Sequence, residues 1–488
     1  MNPHTPANAP ERASQTTPAS AHTSEIVPVP SWVTDLLEPL RNAGWETYLV
    51  GGCVRDALMG KEPHDYDACS NATWQQSAQV LKDAGVPTSP TGIKHGTITV
   101  IHPDGDPTHI IELTTYRAEG PYTDGRRPDS VRFVTSIRQD LSRRDLTINA
   151  IAFDPFDQRL EDPFSGRQDV ALGLIRAVGD PFARFEEDAL RVLRAMRFAA
   201  QLGFDVETST AQAIHQCGPL LDRISAERKT SELTRLLCGA HAARVLREFA
   251  DVVFVVLPML APMATCPQVH PRHLYNVWEH TIRAVEAAPA LPALRWAALF
   301  HDSGKPTCLV VDVDGTTHFH RHPLVSSEYA TMAFSRRLRA PRELSARVIK
   351  LVFEHEIRYP FTTPIMRRQA SRFARDLGGQ AQGIAFYQDL LALREADLRA
   401  QNPALSAPDA EQISRSRQEL PHMGLIDAAT PKDLAVDGRF LMDALGLSPG
   451  PELGRVIDRL LDAVVEEHIP NTPQDLVEYA RKTILRTE

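Results

Sequence analysis

Two aspartates separated by one residue, Asp65 and Asp67, are the first residues in this chain whose types and spacing could do chemistry. On an extended strand, positions i and i+2 face the same side and lie roughly 6.6 Å apart along the backbone. Carboxylates placed in this way can converge on divalent cations that hold a triphosphate. An isolated Asp-Tyr-Asp is more often part of a solvated loop, so the interpretation depends on the residues around it.

A strand and a glycine pair precede the aspartates. The apolar run Tyr48–Val50 predicts a short buried strand, and Gly51 and Gly52 follow it directly. Glycine lets a backbone approach another group closely, and the first turn of a helix offers free N–H groups to an anion. A glycine pair alone is usually a turn, so the order of the elements is what favours a phosphate-binding function.

Residues 48–67, with the sequence YLVGGCVRDALMGKEPHDYD, resemble the start of the DNA polymerase β-like nucleotidyltransferases. The resemblance is closer to the class II bacterial tRNA nucleotidyltransferase (CCA-adding) and poly(A) polymerase family, and it covers about 46 to 480. It implies an α+β fold, in which a polymerase β-like head with a mixed sheet and helices precedes all-α neck/body, HD and tail domains. It also implies that Asp65 and Asp67 hold Mg²⁺ and that Gly52 and Arg55 bind the triphosphate.

The rest of the head contains further candidate residues. Residues 97–103 and 109–117 read as strands, and 73–84 as a helix. The family places a third acid on a neighbouring strand, for which Glu112 is the candidate, although an ordinary edge-strand glutamate is an equal alternative. The sequence RRDLTINAIAFDP matches a family motif that implies Arg144 on the phosphates, where a guanidinium fork suits the oxygens. The same motif implies Asp145 and Asn149 in site architecture or sugar binding.

A Pro/Gly-bearing loop is expected at 162–169, with Ser165 where relatives often carry glycine. The next segment, 180–204, reads as one long helix. Four polar residues recur in it every three positions, so adjacent ones share a face. A cationic surface helix is the simplest interpretation of this set: Asp188, Arg191, Arg194 and Arg197.

The functional interpretation of this helix is base selection. Cytosine and adenine present an amino donor beside a ring-nitrogen acceptor, whereas guanine and uracil present the reverse pattern. An acceptor from Asp188 and a donor from Arg191 match the first pair, and a mismatch costs on the order of 1–3 kcal/mol for each buried polar group. Glu187-Asp188-x-x-Arg191 fits the EDxxR pattern that has this role in the family. Arg194 and Arg197 then suit the phosphates or the shape of the pocket.

Histidines and aspartates become prominent after residue 270. Adjacent His301 and Asp302 lie in the sequence LFHDSGKP, and His320 competes with His322 as a candidate ligand. Imidazoles and carboxylates on helices suit a transition-metal or Mg²⁺ site that activates water on a phosphoester. Six residues follow the order of the metal ligands in HD-superfamily phosphohydrolases: His280, His301, Asp302, His322, His355 and Asp397. This resemblance implies a site for Ni²⁺, Mn²⁺ or Mg²⁺.

Composition limits the alternatives. The 53 basic and 62 acidic residues of the 488-residue chain give a formal charge of −9, so RNA binding would need a local basic face. Six cysteines without a C-x-x-C pair indicate reduced thiols and a cytoplasmic location. No apolar run is long enough to span a membrane, and the N-terminus lacks the pattern of a signal peptide.

The chain is expected to divide into five segments. Residues 1–28 are rich in Pro, Ala, Ser and Thr and are expected to be disordered. An entry helix at 31–45 is expected to break or kink at Pro39. Residues 361–369 and 401–412 look like connectors. The predicted domains are a nucleotidyltransferase head at 29–165, a neck and body at 166–265, an HD domain at 270–400 and a helical tRNA-binding tail at 401–488.

The resemblance implies an enzyme that adds C, C and A to the 3′ end of tRNA from CTP and ATP and releases pyrophosphate. The HD domain would trim or repair 2′,3′-cyclic or 2′-phosphate ends. Three alternatives stay open at this point: a poly(A) polymerase of the same family, an enzyme that adds only CC or only A, and a metal-dependent phosphohydrolase whose head only binds RNA.

Overall fold

The computed structural model describes residues 27–119, 131–357, 361–422, 431–466 and 468–484. The N-terminal tail predicted at 1–28 lies outside these residues, apart from its last two positions. The chain forms two compact units. The first contains Met1–Arg117, Phe133–Leu141 and Asn149–Val170, and the second contains Ala118–Arg132, Ser142–Ile148 and Ala171–Glu488. The predicted five-segment division stays a prediction.

The strands lie mainly in the first half of the chain. Their bounds are β1 Thr47–Val50, β2 Tyr66–Ser70, β3 Thr88–Gly92, β4 Thr97–Ile101, β5 Ile110–Thr115, β6 Arg117–Glu119, β7 Val131–Phe133, β8 Ala152–Asp154, β9 Arg159–Glu161, β10 Leu174–Ile175, β11 Asp205–Val206, β12 Leu309–Val311 and β13 Thr317–Phe319.

Helices dominate the remainder. Their bounds are α1 Ser31–Asn42, α2 Gly52–Leu58, α3 Trp74–Asp83, α4 Ile137–Ser142, α5 Gly166–Leu172, α6 Pro181–Glu187, α7 Leu190–Leu202, α8 Thr208–Cys217, α9 Ala226–Leu237, α10 Ala242–Glu248, α11 Ala250–Val256, α12 Val277–Ala287, α13 Pro292–Phe300, α14 His322–Met332, α15 Arg342–Glu354, α16 Thr363–Leu377, α17 Gln380–Arg399, α18 Pro403–Glu419, α19 Gly438–Leu445, α20 Pro451–Val465 and α21 Pro473–Tyr479.

Tight 3₁₀ turns and two π-helical segments complete the described chain. The 3₁₀ turns are Ile93–His95, Thr147–Asn149, Gly218–Arg223, Pro258–Thr265, Lys305–Cys308, Leu420–His422 and Pro431–Asp433, and the π-helical segments are Ala333–Leu338 and Ala480–Ile484.

The first unit is built on a seven-stranded mixed sheet with the order β3-β4-β5-β2-β1-β8-β9. Strands β2 and β5 pair in parallel, and the other pairs are antiparallel. The predicted strand before the glycine pair is β1, which is buried along its whole length. The predicted α+β fold class, with a mixed sheet in the head, is confirmed by this topology.

The helices of the first unit follow local rules. In α3, Thr73 accepts from the Gln76 backbone N–H while the Gln76 side chain accepts from the Thr73 backbone N–H, which is a complete capping box. In α1, an apolar stripe faces the core. Of the break or kink expected at Pro39, the break is wrong, because α1 continues through this proline to Asn42, and the kink stays a prediction.

The second unit is almost entirely helical. The nine-residue helix α13 is buried along most of its length, and the 20-residue helix α17 is buried over much of its length, as expected of helices in the middle of a bundle. The end of the chain forms an apolar core of its own from α19, α20, α21 and the segments around them. No helix within the described residues has the length and apolar character needed to cross a membrane.

Several local expectations are wrong. The single helix expected at 180–204 is interrupted, because α6 ends at Glu187 and Asp188 adopts an extended conformation with φ −141° and ψ 102°. Half of the loop expected at 162–169 is helical, since Asp162 accepts from the first backbone N–H groups of α5. The connectors expected at 361–369 and 401–412 are largely the first turns of α16 and α18.

Candidate functional site

The head carboxylates lie on two neighbouring strands. Asp67 of β2 pairs in register with Glu112 of the parallel strand β5, so their side chains leave the same face of the sheet, and both are exposed. Asp65 lies one residue before β2 rather than inside it. Tyr66, between the two aspartates, is buried and packs edge-on against Trp32. The predicted third acid is therefore on the strand next to Asp67.

The glycine pair joins β1 to α2. Gly51 has φ 82° and ψ −126°, a conformation that a side chain would strain, whereas Gly52 opens the helix. The buried side chain of Arg55 donates through Nη1 to Asn149 Oδ1 at 2.7 Å and through Nε to Asp56 Oδ1 at 2.9 Å. Asn149 thus orients Arg55, and its role in site architecture or in sugar binding stays a prediction.

The motif around residue 144 is divided between the units: residues 143–148 belong to the second unit and residues 149–155 to the first. Arg144 is half-buried, and its neighbour Asp145 is buried. Asp145 Oδ2 accepts from Arg194 Nε at 2.7 Å, and Asp145 Oδ1 accepts from the Leu146 backbone N–H. The negative charge of Asp145 raises the pKa of Arg194. This bond connects Arg194 to the motif, and the role predicted for Arg194 at the phosphates or in the shape of the pocket stays a prediction.

The proposed base-reading residues flank the helix break. Asp188 lies between α6 and α7, where its Oδ2 accepts from Arg228 Nη2 at 2.7 Å and its Oδ1 accepts from the Leu190 backbone N–H. Arg191, in the first turn of α7, donates through Nη1 to Glu187 Oε2 at 2.6 Å. Each side chain is oriented by a partner of opposite charge. The continuous helix predicted from the sequence would have placed Asp188 on the same helix as the arginines. In the structure, Asp188 lies outside α7.

Arg191 is also tied to the main chain. Its Nη1 donates to the carbonyl of Arg184 at 3.1 Å, and its Nη2 donates to the carbonyl of Arg143 at 3.0 Å. The side chain is buried, so these bonds hold it in a single orientation. A rigid donor is what discrimination between nucleobases requires.

Arg197 is buried between an acidic partner and an aromatic ring. Its Nε lies 2.6 Å from Glu232 Oε2, both side chains are less than a tenth exposed, and its guanidinium stacks on the Phe198 ring at 4.0 Å. Burial lowers the pKa of Arg197, and the Glu232 carboxylate opposes that effect. Of the two roles predicted for Arg197, support of the pocket shape agrees with this burial and phosphate binding does not.

A buried cluster of imidazoles and carboxylates lies inside the second unit. The ligand atoms form two groups, and within each group they lie no more than 4.8 Å apart. All six predicted HD residues belong to this cluster, and His320 is exposed outside it. The first group is His280, His301 and Asp397, and the second is Asp302, His322 and His355.

Asp302 connects the two groups through its two oxygens. Oδ2 lies 3.3 Å from His280 Nε2 and 3.2 Å from His301 Nε2. Oδ1 lies 3.1 Å from His322 Nε2 and 3.8 Å from His355 Nε2. One carboxylate therefore faces both sets of imidazoles, which is the arrangement of a bridging ligand between two cations.

Main-chain carbonyls orient three of the imidazole rings through the nitrogen that faces away from the cluster. His301, His322 and His355 each place Nδ1 within 2.7–2.9 Å of the carbonyl three residues earlier. An Nδ1–H bond of this kind leaves the Nε2 lone pair directed into the cluster, as in metal-bound histidines. The Nε2 atoms of His280 and His301 are 3.3 Å apart, and those of His322 and His355 are 3.2 Å apart. Two facing lone pairs repel each other unless a proton or a cation lies against them.

The charges around the cluster favour a cation. Burial alone would raise the pKa of Asp302, but the charges of His301 and Lys305 hold it well below its usual range. Burial also opposes the ionisation of Asp397, and the charge of Arg394 holds the pKa of Asp397 low. Against the effect of burial, these two carboxylates raise the pKa of His301 to about 10. The centre of the cluster therefore favours positive charge.

A cavity of about 480 Å³ opens onto the cluster. Its wall includes three basic side chains that each have an acidic partner: Lys305 on Asp302, Arg272 on Asp409 and Arg394 on Asp397. His273 lies at the same wall, and burial lowers its pKa to about 3, so it is neutral there. Lys305 was not predicted as a residue of this site. Its position three residues after Asp302 could have indicated it, because side chains at this spacing meet in a helical turn.

Three family models match the chain. They are the Poly A polymerase head domain at residues 47–176, the RNA and SrmB-binding site of polymerase A at residues 203–260, and tRNA nucleotidyltransferase domain 2 at residues 379–480. Together they cover the head, the helices after it and the end of the chain.

Similarity to characterised relatives extends over nearly the whole chain. The CCA-adding enzyme of Leuconostoc citreum is 32% identical over 450 residues, covering 92% of this chain and 95% of the relative. The CCA-adding enzyme of Lactiplantibacillus plantarum is 32% identical over 450 residues, covering 91% and 94%. This chain belongs to the family of CCA-adding enzymes. The family prediction made from the glycine pair and the paired aspartates is confirmed, as is the prediction of a nucleotidyltransferase.

Solved CCA-adding enzymes have the same fold. The crystal structure of the Bacillus stearothermophilus CCA-adding enzyme in complex with CTP is 26% identical, covers 94% of this chain and 98% of its own, and has a TM-score of 0.64. The Thermotoga maritima CCA-adding enzyme complexed with tRNA is 19% identical, covers 93% of this chain and 95% of its own, and has a TM-score of 0.52, which supports the fold alone.

Proposed function

We propose that this chain adds C, C and A in order to the 3′ end of tRNA, using CTP and ATP without a nucleic-acid template and releasing pyrophosphate. The observation that carries the proposal is the in-register pair of Asp67 and Glu112, with Asp65 two residues before Asp67, in a chain related to CCA-adding enzymes over nearly its full length. The similarity to enzymes with this name favours CCA addition over poly(A) synthesis.

The carboxylates fit a divalent cation of the Mg²⁺ type. Asp65, Asp67 and Glu112 offer oxygen ligands, which hard cations prefer, and all three side chains are exposed. These residues would hold such a cation, which would lower the pKa of the RNA 3′-hydroxyl and neutralise the charge of the departing pyrophosphate. The sheet register keeps Asp67 and Glu112 at one place, so the protein need not reorganise them for each addition.

The first unit also supplies groups for the triphosphate. Gly52 has no side chain, so its backbone can come close to a phosphate. Arg55 is oriented by Asn149 and Asp56, and it supplies positive charge from the middle of the seven-residue helix α2. In the second unit, Arg144 has the same proposed role, and the bond between Arg194 and Asp145 stabilises the motif in which Arg144 lies.

Base choice rests on the second unit. Asp188 accepts and Arg191 donates, the pattern that complements cytosine and adenine and opposes guanine and uracil. Arg228 orients Asp188 and Glu187 orients Arg191, so neither side chain is free to turn to suit the wrong base. Arg197 takes part only through the buried pair with Glu232.

Recognition of tRNA is proposed for two helical regions. The helices after residue 203 match the RNA-binding family model and would receive the acceptor end, and the tail at 401–488 would hold the elbow of the tRNA. We expect contacts with backbone shape more than with sequence, because A-form helices hide their base edges in a deep groove.

The deciding experiment offers the protein tRNAs that end before C, after the first C and after the second C, with each nucleotide supplied singly. CTP should extend only the first two, and ATP only the third. Repeated AMP addition to many RNAs would identify a poly(A) polymerase. Extension of the first two tRNAs with CTP but no extension with ATP would identify an enzyme that adds only CC. Extension of the third tRNA alone would identify an enzyme that adds only A, and no extension would contradict the proposal.

A second activity is supported by the buried cluster of the second unit. We infer that His280, His301 and Asp397 would hold one divalent ion and that His322 and His355 would hold another, with the carboxylate of Asp302 available to both. Nitrogen and carboxylate ligands suit Ni²⁺ or Mn²⁺ as well as Mg²⁺. A metal ion at such a site supplies an activated water for phosphoester hydrolysis. The test measures metal content after dialysis and hydrolysis of RNA ends with 2′,3′-cyclic or 2′-phosphates; a protein that binds no metal contradicts the assignment.

A further inference from the structure

A second group of possible metal ligands lies in the first unit, on the hairpin that joins β4 to β5. His102 follows β4, His109 precedes β5, and the His102 backbone N–H donates to the His109 carbonyl at 2.9 Å, which closes the base of the hairpin. Asp104 lies in the turn between them. The ligand atoms of these three side chains are within 4.8 Å of one another.

The three side chains converge on one oxygen. Asp104 Oδ2 lies 2.6 Å from His109 Nδ1 and 3.0 Å from His102 Nδ1. The other oxygen, Oδ1, accepts from the Asp106 backbone N–H at 3.0 Å, so the carboxylate has a fixed direction. Both imidazoles approach Oδ2 with the same ring nitrogen.

The bonding of His102 points to a cation. The Asp104 backbone N–H donates to His102 Nδ1 at 3.3 Å, so this nitrogen carries a lone pair. The same nitrogen faces the electron-rich Oδ2 atom at 3.0 Å. Two such atoms repel each other at this distance unless a positive charge lies against both, and a metal ion supplies that charge.

The orientation of His109 is fixed independently. Its ring stacks on Trp32 of α1, with the ring centres 4.6 Å apart and an angle of 17° between the planes. Trp32 in turn packs edge-on against Tyr66 at 5.4 Å. A ring held in this way loses little conformational freedom on binding a ligand, which favours affinity.

We propose that His102, Asp104 and His109 form a zinc site, separate from the nucleotide site and from the buried cluster of the second unit. Two imidazole nitrogens and one carboxylate oxygen are typical zinc ligands, and three protein ligands leave a fourth position for water. The side chains are partly exposed, so the ion can enter from solvent without opening the fold.

The site is connected to the catalytic strands. Tyr66 lies between Asp65 and Asp67, and β5, which begins immediately after His109, carries Glu112. Zinc at the hairpin would therefore stiffen the stack of His109, Trp32 and Tyr66 and the start of β5. The ion would act as a structural support for the two strands that carry the head carboxylates.

Trp32 provides a local probe of binding. Ni²⁺, which quenches tryptophan fluorescence at short range, is titrated into the full-length protein in excess Mg²⁺, and Zn²⁺ is then added as a competitor. We expect Ni²⁺ to quench the fluorescence and Zn²⁺ to reverse the quenching. The Trp32→Phe variant should lose this component and keep only the signal of the remaining tryptophans. His102→Ala and Asp104→Asn should weaken the Trp32 component at least tenfold, the lower bound for disturbing a metal site.

The matched control is His95→Ala, which removes an exposed histidine of the same unit outside the cluster. It should leave the titration unchanged. Asp104→Asn keeps the shape of the turn, so its result does not depend on whether His102→Ala perturbs the hairpin. Equal quenching in Asp104→Asn and wild type would overturn the proposal. A Trp32 signal that responds to pH but to neither metal would also overturn it, because the cluster would then hold a proton.

Discussion

Arg191 donates to Glu187 through Nη1 and Oε2 at 2.6 Å, so a carboxylate one turn earlier holds the arginine that we propose reads the base. Asp188 has the corresponding bond to Arg228. The two base-reading side chains are thus each oriented by a residue that need not touch the nucleotide, and these orienting residues can be changed without removing the reading groups themselves.

Glu187→Gln should relax base choice. The amide oxygen bonds Arg191 more weakly than a carboxylate, so the guanidinium can turn toward the acceptor groups of uracil and guanine. We expect the preference for CTP over UTP to fall about tenfold, which corresponds to roughly 1.4 kcal/mol. Single-turnover incorporation of each nucleotide into tRNA measures the ratio. Glu186→Gln, an exposed neighbour, is the control and should keep the wild-type preference.

Asp67→Asn should abolish nucleotide addition and leave hydrolysis by the buried cluster intact, because the two sets of carboxylates serve different reactions. Glu112→Gln should reduce addition less, on the order of tenfold, if Glu112 supports the cation rather than holding it alone. Rates of tRNA extension in both variants test the order. Normal extension by Asp67→Asn would refute the assignment of the head carboxylates.

Asp302→Asn should remove the charge that joins the two groups of the buried cluster. We expect metal affinity to fall at least tenfold and phosphoester hydrolysis to be lost, while tRNA extension stays at the wild-type rate. Metal content after dialysis and both activities are measured on the same preparation. His320→Ala alters an exposed histidine at the cavity wall and should keep its metal. Unchanged metal content in Asp302→Asn would contradict the bridging role.

Glu232→Gln should destabilise the second unit strongly. Glu232 and Arg197 are both buried, and removing one partner leaves the other charge without compensation, at a cost of about 3 kcal/mol. Chemical denaturation measures the difference. The control is Glu227→Gln, which breaks the exposed pair with Arg339 and should change stability little. A stability change in Glu232→Gln no larger than in the control would show that the buried pair contributes nothing.

Glu207 should make α8 sensitive to acid. Although burial alone would raise the pKa of this carboxyl, hydrogen bonds from Ser209 and Thr210 at the start of the helix lower it to about 2. The folded pKa is thus below the ordinary 4.5, so the contribution is fully present above about 4.5 and is lost as the pH falls toward 2. Glu207→Gln should cost about 1 kcal/mol at pH 7.

The cost of Glu207→Gln should shrink as the pH falls from about 4.5 toward 2, since the carboxyl of the unfolded wild-type protein takes up a proton first and that of the folded protein only near pH 2. Urea denaturation of both proteins at several pH values measures this trend. Glu248→Gln, an exposed residue of α10, serves as the control. A cost that is the same at every pH would rule out the capping charge as its source.

Residue type and order were sufficient to find the head carboxylates and the buried cluster. Asp65 and Asp67 stand out by spacing, and the histidines and aspartates after residue 270 stand out by their order along the chain. Tertiary folding then brought His280 and Asp397 within 3.0 Å, although more than a hundred residues separate them. A pattern of ligands can be read from the sequence because chemistry restricts the residue types that can serve.

The helix break at Asp188 could not be read in the same way. Leu190, Leu193 and Met196 continue an apolar period that Phe185 begins, so periodicity predicts one helix. The extended backbone of Asp188 depends on contacts with Arg228, forty residues later, which leave no local signal. From the sequence, Glu187 is recognised only as part of the EDxxR pattern. Its bond to Arg191 could have been predicted, because a glutamate four residues before an arginine is a recognised helical pair. Ser165 has φ 60°, a left-handed conformation that glycine adopts more readily than serine, and nothing in the local sequence indicates it.

At the start of strand β2, the buried ring of Tyr66 is followed by Asp67, which meets solvent on the other side of the sheet. If β2 slid past β5 by a single residue, the ring would be exposed and the acid would be pushed into an apolar interior. A shift of β2 by one residue is therefore disfavoured by the free energy of exposing the ring and burying the carboxylate. Molecules in a warming population should be either fully active or fully inactive, with no weakened intermediate form of the nucleotide-adding centre.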